Sequence, residues 1–246
     1  MKNKKIFLII YDNIKTLLGA LIIAILIRSL LFQPFYIPSS SMEPTLLVGD
    51  RIFVSKYTYG YSKHSFPFSP NISNKRFFSK KPERGDLVVF KTPADNRTDY
   101  IKRLIGLPGD TIQFINGEIF INKKKILIKI INNKKKIRCG NFFLDTNTYI
   151  ETLPNGVKHV VSYKKIGTLK NTAEYKVPPN HYFLLGDNRD CSKDSRYLDS
   201  VGYVNNLNLV GEAQLIFFSN DTNISSLLKF WNLGKSFRVE RLLNNL

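Results

Sequence analysis

Between Thr16 and Phe32 the chain reads TLLGALIIAILIRSLLF, 17 residues with a single charge, Arg28, near the far end. A run of this kind must leave water. As a helix it spans about 26 Å, a little short of the roughly 30 Å hydrocarbon core of a bilayer, and Arg28 can snorkel outward on its long stem. The sequence therefore predicts one membrane-spanning helix over residues 16–32. A cleaved signal peptide has the same order of basic then apolar residues. Here the run ends in Arg28 and LLFQPF, where cleavage would need small residues. Lys2, Lys4, Lys5 and Lys15 precede the run, so the positive-inside rule puts residues 1–15 in the cytoplasm and everything after Phe32 outside. An N-terminus anchored this way leaves the other 200 or so residues to fold as one larger or two modest domains.

With 43% hydrophobic residues, the chain as a whole has enough apolar side chain for an ordinary core. Its charge is lopsided: 37 Lys+Arg against 19 Asp+Glu gives +18. Much of the excess is lysine scattered among Asn and Ile, and no nucleic-acid recognition motif accompanies it, so anionic membrane lipid is the expected partner and nucleic acid is not. Cys139 and Cys191 are too few for a disulfide framework, and their pairing is left open. No Cys, His and carboxylate cluster has metal-ligand spacing, so neither metal nor other cofactor is expected.

The outer part reads as mainly β. Alternation predicts a strand after a turn at Gly49-Asp50, and apolar runs predict strands over Leu87–Phe90, Tyr100–Ile105 and Ala213–Phe218, with a loop from Ser62 to Pro82. Asn116-Gly117 marks a hairpin. Two Lys triplets, 123–125 and 134–136, read as solvated strand ends. We expect an antiparallel sheet domain from residues 33–113 and 177–219, a smaller β domain inserted at 114–176, and a basic tail at 220–246. In that tail Leu227, Phe230, Trp231, Leu233 and Phe237 would rest on the membrane or dock on the domain.

The chemistry-bearing stretch is Ile37–Asp50, IPSSSMEPTLLVGD, in which Ser39, Ser40 and Ser41 precede Met42 and Pro44. Its plainest reading is a polar linker. Serine is a poor nucleophile unless a base takes its proton and donors meet the oxyanion. His64, His159 and His181 lie in polar or loop contexts without partner patterns. Lys102 is different: it sits in the apolar strand YIKRLI, where alternation turns it away from Arg103. A lysine with pKa near 10.4 is useless as a base at neutral pH, and reaching 7–8 requires burial worth about 4 kcal/mol. The alternative for Lys102 is an ion pair with Asp86 or Asp110.

Four blocks, IPSSSMEPTLLVGD, RGDLVVF, YIKRLIGLPGD and GDNRDCSKDSRY, stand in this order behind the apolar run, and together the chain resembles the bacterial type I signal peptidases, or leader peptidases. These are membrane-anchored serine proteases that use a Ser-Lys dyad. The resemblance implies Ser41 as nucleophile, Lys102 as general base, Ser39 as oxyanion-hole hydroxyl with the Ser41 N–H, and Ser192 as the hydroxyl that orients the amine. It implies supporting ion pairs Asp187–Arg103 and Asp194–Arg196, and apolar pockets for small side chains lined by Ile37, Pro38, Met42, Leu46, Tyr100 and Ile101. The implied substrates are signal-peptide-bearing preproteins, cut outside the cytoplasmic membrane without a cofactor. The chain departs from the family pattern at Ser40, where Gly is common, at Cys191, where Asn is common, and at Asn205, where Pro is frequent. Ser40 is expected to narrow the loop's freedom, and a free Cys191 beside Ser192 to make activity sensitive to thiol reagents. The rival readings are a catalytically inactive, membrane-tethered basic binding domain, and a self-cleaving Ser-Lys repressor. The repressor would need a DNA-binding helix-turn-helix where the apolar run stands.

Overall fold

The computed structural model describes residues 2–71, 73–164, 171–220 and 237–246. Helix α1, Lys2–Leu30, begins well before Thr16 and stops two residues short of Phe32. Its segment Ile9–Leu30 is long and apolar enough to cross a membrane, and nearly all of it stands clear of the rest of the chain, Ser29 at its end being buried. The helix stops where Pro34 approaches, because proline disfavours helical backbone at the residue before it and donates no N–H. The chain turns directly into strand β1, Phe32–Tyr36, at the edge of a sheet, where a proline costs no ladder bond. Residues 32–36 therefore belong to the sheet. Two of the helix's free C-terminal carbonyls are also met: Tyr61 Oη donates to Leu30 O (2.9 Å) and Lys56 N–H to Leu31 O (2.9 Å).

The remaining strands are β2 Asp50–Ser55, β3 Leu87–Lys91, β4 Asp99–Gly106, β5 Thr111–Ile115, β6 Glu118–Ile121, β7 Lys124–Lys125, β8 Leu127–Cys139, β9 Phe142–Thr152, β10 Lys158–Tyr163, β11 Tyr175–Lys176, β12 His181–Leu185, β13 Val204–Asn205, β14 Leu209–Ser219 and β15 Asn244–Asn245. The main sheet is antiparallel, in the order β1-β2-β14-β3-β4-β12-β13, with β15 added to β14. Between β4 and β12 in the chain lie two smaller antiparallel sheets, β11-β5-β6-β7 and β10-β9-β8. The fold is thus mainly antiparallel β behind one apolar helix.

The expected boundary at residues 113/114 cuts through β5. Ile112 and Phe114 point from that strand into one apolar cluster with Ile105, Phe183 and Leu185 of the main sheet, so the inserted strands share its core. Lys134–Lys136 lies inside β8 and is not a strand end. There β8 and β9 form a ribbon open to solvent, and Lys135 and Lys136, both exposed, pair with Thr146 and Asp145. In the tail, Leu227, Phe230, Trp231 and Leu233 lie outside the described residues. Phe237 packs on Phe218, and Arg241 reaches the fully buried Asp50 (2.6 Å), so this last part of the chain docks on the sheet.

Candidate active site

The loop between β1 and β2 carries the three serines and is closed at its base by two backbone bonds, Ile37 N–H to Asp50 O (2.9 Å) and Gly49 N–H to Ile37 O (3.0 Å). Gly49 has φ +97, and a Cβ there would overlap Asn220 O, so only glycine fits this close crossing. Met42 and Leu46 are fully buried beneath the loop in a cluster with Ile37 and Ile52. Ser40 is in ordinary backbone space, without the positive φ that would require glycine. Its Oγ accepts from Gly140 N–H (3.4 Å), and its carbonyl accepts from Asn188 Nδ2 (3.0 Å). Asn188 also donates its N–H to Ser41 O (3.1 Å). The loop is thereby held from below by apolar anchors and from the side by the β8–β9 turn and the segment after β12.

Strand β4 brings Lys102 to this loop. Its Nζ lies 2.7 Å from Ser41 Oγ and donates to Ile101 O at 2.9 Å. β4 is covered on both faces, so the alternation of Lys102 and Arg103 sends both inward, to opposite sides. Lys102 is only 3% exposed. Burial lowers its pKa to about 8; Asp194 and Asp187 pull the other way, and Arg196 adds to the lowering. Asp86 and Asp110 have other partners, Tyr59 and Arg84 respectively. None of the three histidines bonds to the serine cluster; His159, for example, lies against Glu151 (3.1 Å).

Ser39, exposed, sits with its Oγ 3.4 Å from Ser41 Oγ. The Ser41 N–H donates to no other described residue. Ser192 is buried at the site, where a Cβ on Gly186 would collide with both its Oγ and Ser41 O, but its hydroxyl makes no hydrogen bond to Lys102. Arg103 grips the fully buried Asp187 with Nε and Nη2 (2.9 and 2.7 Å), and Arg196 grips the equally buried Asp194 (2.7 and 2.9 Å). Burial pushes both carboxyl pKa values up, but the adjacent guanidinium outweighs it in each case and holds them below the usual range.

Reading the residues alone missed several contributors. Thr45 Oγ1 donates to Asp187 Oδ2 (2.6 Å), and Arg189 forms a fully buried two-point pair with Glu151 (2.5 Å on each arm). Thr45 stood within the serine block, but nothing local tied Glu151 to Arg189. Cys139 and Cys191 form a disulfide that pins the β8–β9 turn beside Ser192. No free cysteine remains, which removes the basis for thiol sensitivity at Cys191. Asn205, where proline was the expected pattern, caps a 3₁₀ turn by accepting from Leu207 N–H (2.9 Å).

Above the pair runs a groove of about 400 Å³, floored by Ser41 and Lys102 and walled by Ile37, Pro38, Tyr100 and Ile101. Met42 and Leu46 do not line it; they support the loop from the core. Along the groove, Asp99–Lys102 of β4 pairs with β3 on one side only, because β12 reaches no further than Arg103. That leaves a free strand edge.

A hydroxyl thus lies against a buried amine of lowered pKa, at the floor of an apolar groove with an open strand edge, an arrangement of the class found in serine hydrolases. Residues 10–218 match the family model described as "Signal peptidase, peptidase S26". The signal peptidase I of Rickettsia typhi is 42% identical over 91% of this chain and 89% of its own, and that of Rickettsia bellii 38% over 94% and 84%. A solved signal peptidase I from Enterococcus faecalis V583 is 27% identical over 54% of this chain and 97% of its own, with a TM-score of 0.32. The chain belongs to the signal peptidase family, peptidase S26, and is a serine endopeptidase.

Proposed function

We propose that this chain is a membrane-bound endopeptidase that removes N-terminal signal peptides from preproteins, with Ser41 as nucleophile and Lys102 as its general base. One observation carries the reading: the 2.7 Å approach of Lys102 Nζ to Ser41 Oγ inside a dry floor. In the neutral form, the Lys102 amine takes the Ser41 proton as Oγ attacks the scissile carbonyl. Ser39 Oγ–H and the unused Ser41 N–H donate to the oxyanion, and the Lys102 ammonium then protonates the departing amine. A water deprotonated by the same amine attacks the ester and frees the signal peptide from Ser41. Asp187–Arg103 and Asp194–Arg196 act as scaffold. Ser192, buried beside Ser41, orients the amine.

The substrate's extended segment adds as a strand along the free edge of Asp99–Lys102, with small side chains against Ile37, Pro38, Tyr100 and Ile101. Met42 and Leu46 act from beneath by fixing the loop's height. α1 crosses the inner membrane of a bacterium with its lysines in the cytoplasm, which sets the groove at the outer surface, where a signal peptide emerges from its own bilayer-embedded segment.

The test is cleavage of an alanine-rich preprotein in detergent by wild type, Ser41→Ala and Lys102→Ala. Loss of turnover in both variants is expected, with wild-type activity rising as pH climbs toward 8. Full activity in Lys102→Ala would end the reading. Binding of the preprotein without cutting it, in the wild type, would favour a tethered binding domain.

A further inference from the structure

A second cavity, about 470 Å³, opens beside the end of α1 and meets the groove only at Phe35 and Asp99. Four cations line it: Arg28 from the last turn of α1, Lys56 just past β2, Lys91 at the end of β3 and Arg97 in the following turn. The single lining carboxylate, Asp99, is already bound by Lys91 (2.9 Å). Lys56 is 2% exposed, yet among the described residues one acceptor, Ser65 O at 2.6 Å, meets its three N–H donors. His64, 4% exposed, shares Nδ1 with Ser69 Oγ (2.9 Å) and leaves Nε2 buried without a partner. No hydrogen bond or ion pair joins the Arg28 or Arg97 guanidinium to a described residue.

Buried polar groups are ordinarily satisfied, so a lined, cationic cavity with spare buried nitrogens lacks an acceptor. The cations also strain one another. Lys56 is lowered to about 8 by burial and then by Arg28, and His64 to about 4 by burial and then by Lys63, Lys91 and Arg76. An anion would relieve both.

We propose that this cavity is a binding site for a phosphate-bearing anion, presented by the headgroup of an anionic phospholipid. The lipid source rests on the reading of α1 as a membrane anchor. The cavity's height follows from the helix: Arg28 is in its last turn, and Lys56 and Tyr61 clamp its final carbonyls. Phe68, on the cavity's rim, is fully exposed and stands at φ 62, an apolar ring turned outward where interfacial lipid would cover it. Guanidinium and ammonium donors around one pocket suit phosphate oxygens by charge and by geometry.

The experiment uses the full chain in neutral maltoside micelles, with retained ligand counted by native mass spectrometry while phosphatidylglycerol, phosphatidylcholine or inorganic phosphate is titrated. One phosphatidylglycerol retained per chain, with at least tenfold preference over phosphatidylcholine, is expected. Lys56→Gln weakens retention at least tenfold. So does the double variant Arg28→Gln/Arg97→Gln, whose exposed side chains leave the packing intact if Lys56→Gln fails to fold. Binding of inorganic phosphate with the same loss in the variants, and no retained lipid, supports the phosphate site and assigns it to free phosphate. Equal retention by variants and wild type, equal retention of the two lipids, or no binding of either anion overturns the proposal. Failure of wild type to float with phosphatidylcholine vesicles would sink the anchor reading and leave the cavity's phosphate binding to be judged on its own titration.

Discussion

Replacing Lys102 with methionine separates what its amine does for chemistry from what it costs the fold. Methionine fills nearly the same volume without a charge. The fall from 10.5 to about 8 on burial means that the folded chain resists protonation of this amine. At 1.36 kcal/mol per unit, that destabilises the wild type by about 3 kcal/mol at pH 7 relative to a chain with no titrating group there. Between pH 8 and 10.5 the unfolded chain holds a proton that the folded chain has released. Wild-type stability therefore climbs with pH in that window, and the penalty shrinks to about 1 kcal/mol at pH 9.5. The variant loses the hydrogen bonds to Ser41 and Ile101, about 1 kcal/mol each, but that loss does not depend on pH. The clean quantity is the change in the stability difference between the two pH values, about 2 kcal/mol. Urea unfolding of both proteins in detergent at pH 7 and pH 9.5, followed by circular dichroism, measures it. Turnover in the variant should fall by about 10²–10⁴. A stability difference that stays constant within about 0.5 kcal/mol across that range would refute the claim that this amine is held dry, and with it the account of Lys102 as a base.

Ser39→Ala should lower kcat by about 10²–10³, the usual effect of one lost oxyanion donor, with KM unchanged; steady-state cleavage kinetics decide it, and unchanged kcat would remove Ser39 from the mechanism. Asp187→Ala leaves Arg103 charged and buried, so the urea midpoint should shift by the equivalent of about 3–5 kcal/mol. The disulfide closes a loop across a 52-residue separation, and its loss through Cys139→Ser/Cys191→Ser should lower stability by up to about 4 kcal/mol. Intact mass after iodoacetamide without reductant should show no adduct, and activity should be untouched by the reagent.

Much of this molecule could be read from neighbours along the chain. An apolar run behind lysines can only be a segment that leaves water, and the apolar stretches of YIKRLIG and LVVFK read as strands whatever they pair with. The apolar setting of YIKRLIG also singled out Lys102 as a charge on a covered strand. Proline's effect on its predecessor, by contrast, limited the end of α1, and the turn into edge strand β1 depended on β2 lying alongside. The expected break at 113/114 falls inside β5, where burial of Ile112 and Phe114 is set by Ile105 and Phe183, which a linear reading does not bring together.

The local chemistry was therefore legible in one dimension: which side chains can attack, which can carry charge, and which must avoid water. Their mutual distances were not. Burial of Lys102, the reach of Thr45 to Asp187, the Glu151–Arg189 pair and the joining of Cys139 to Cys191 all link residues from separate strands and loops. Desolvation and Coulomb energy depend on what surrounds an atom in space, so the basicity of the amine, and the fate of the cations beside α1, were decided only when the sheets closed around them.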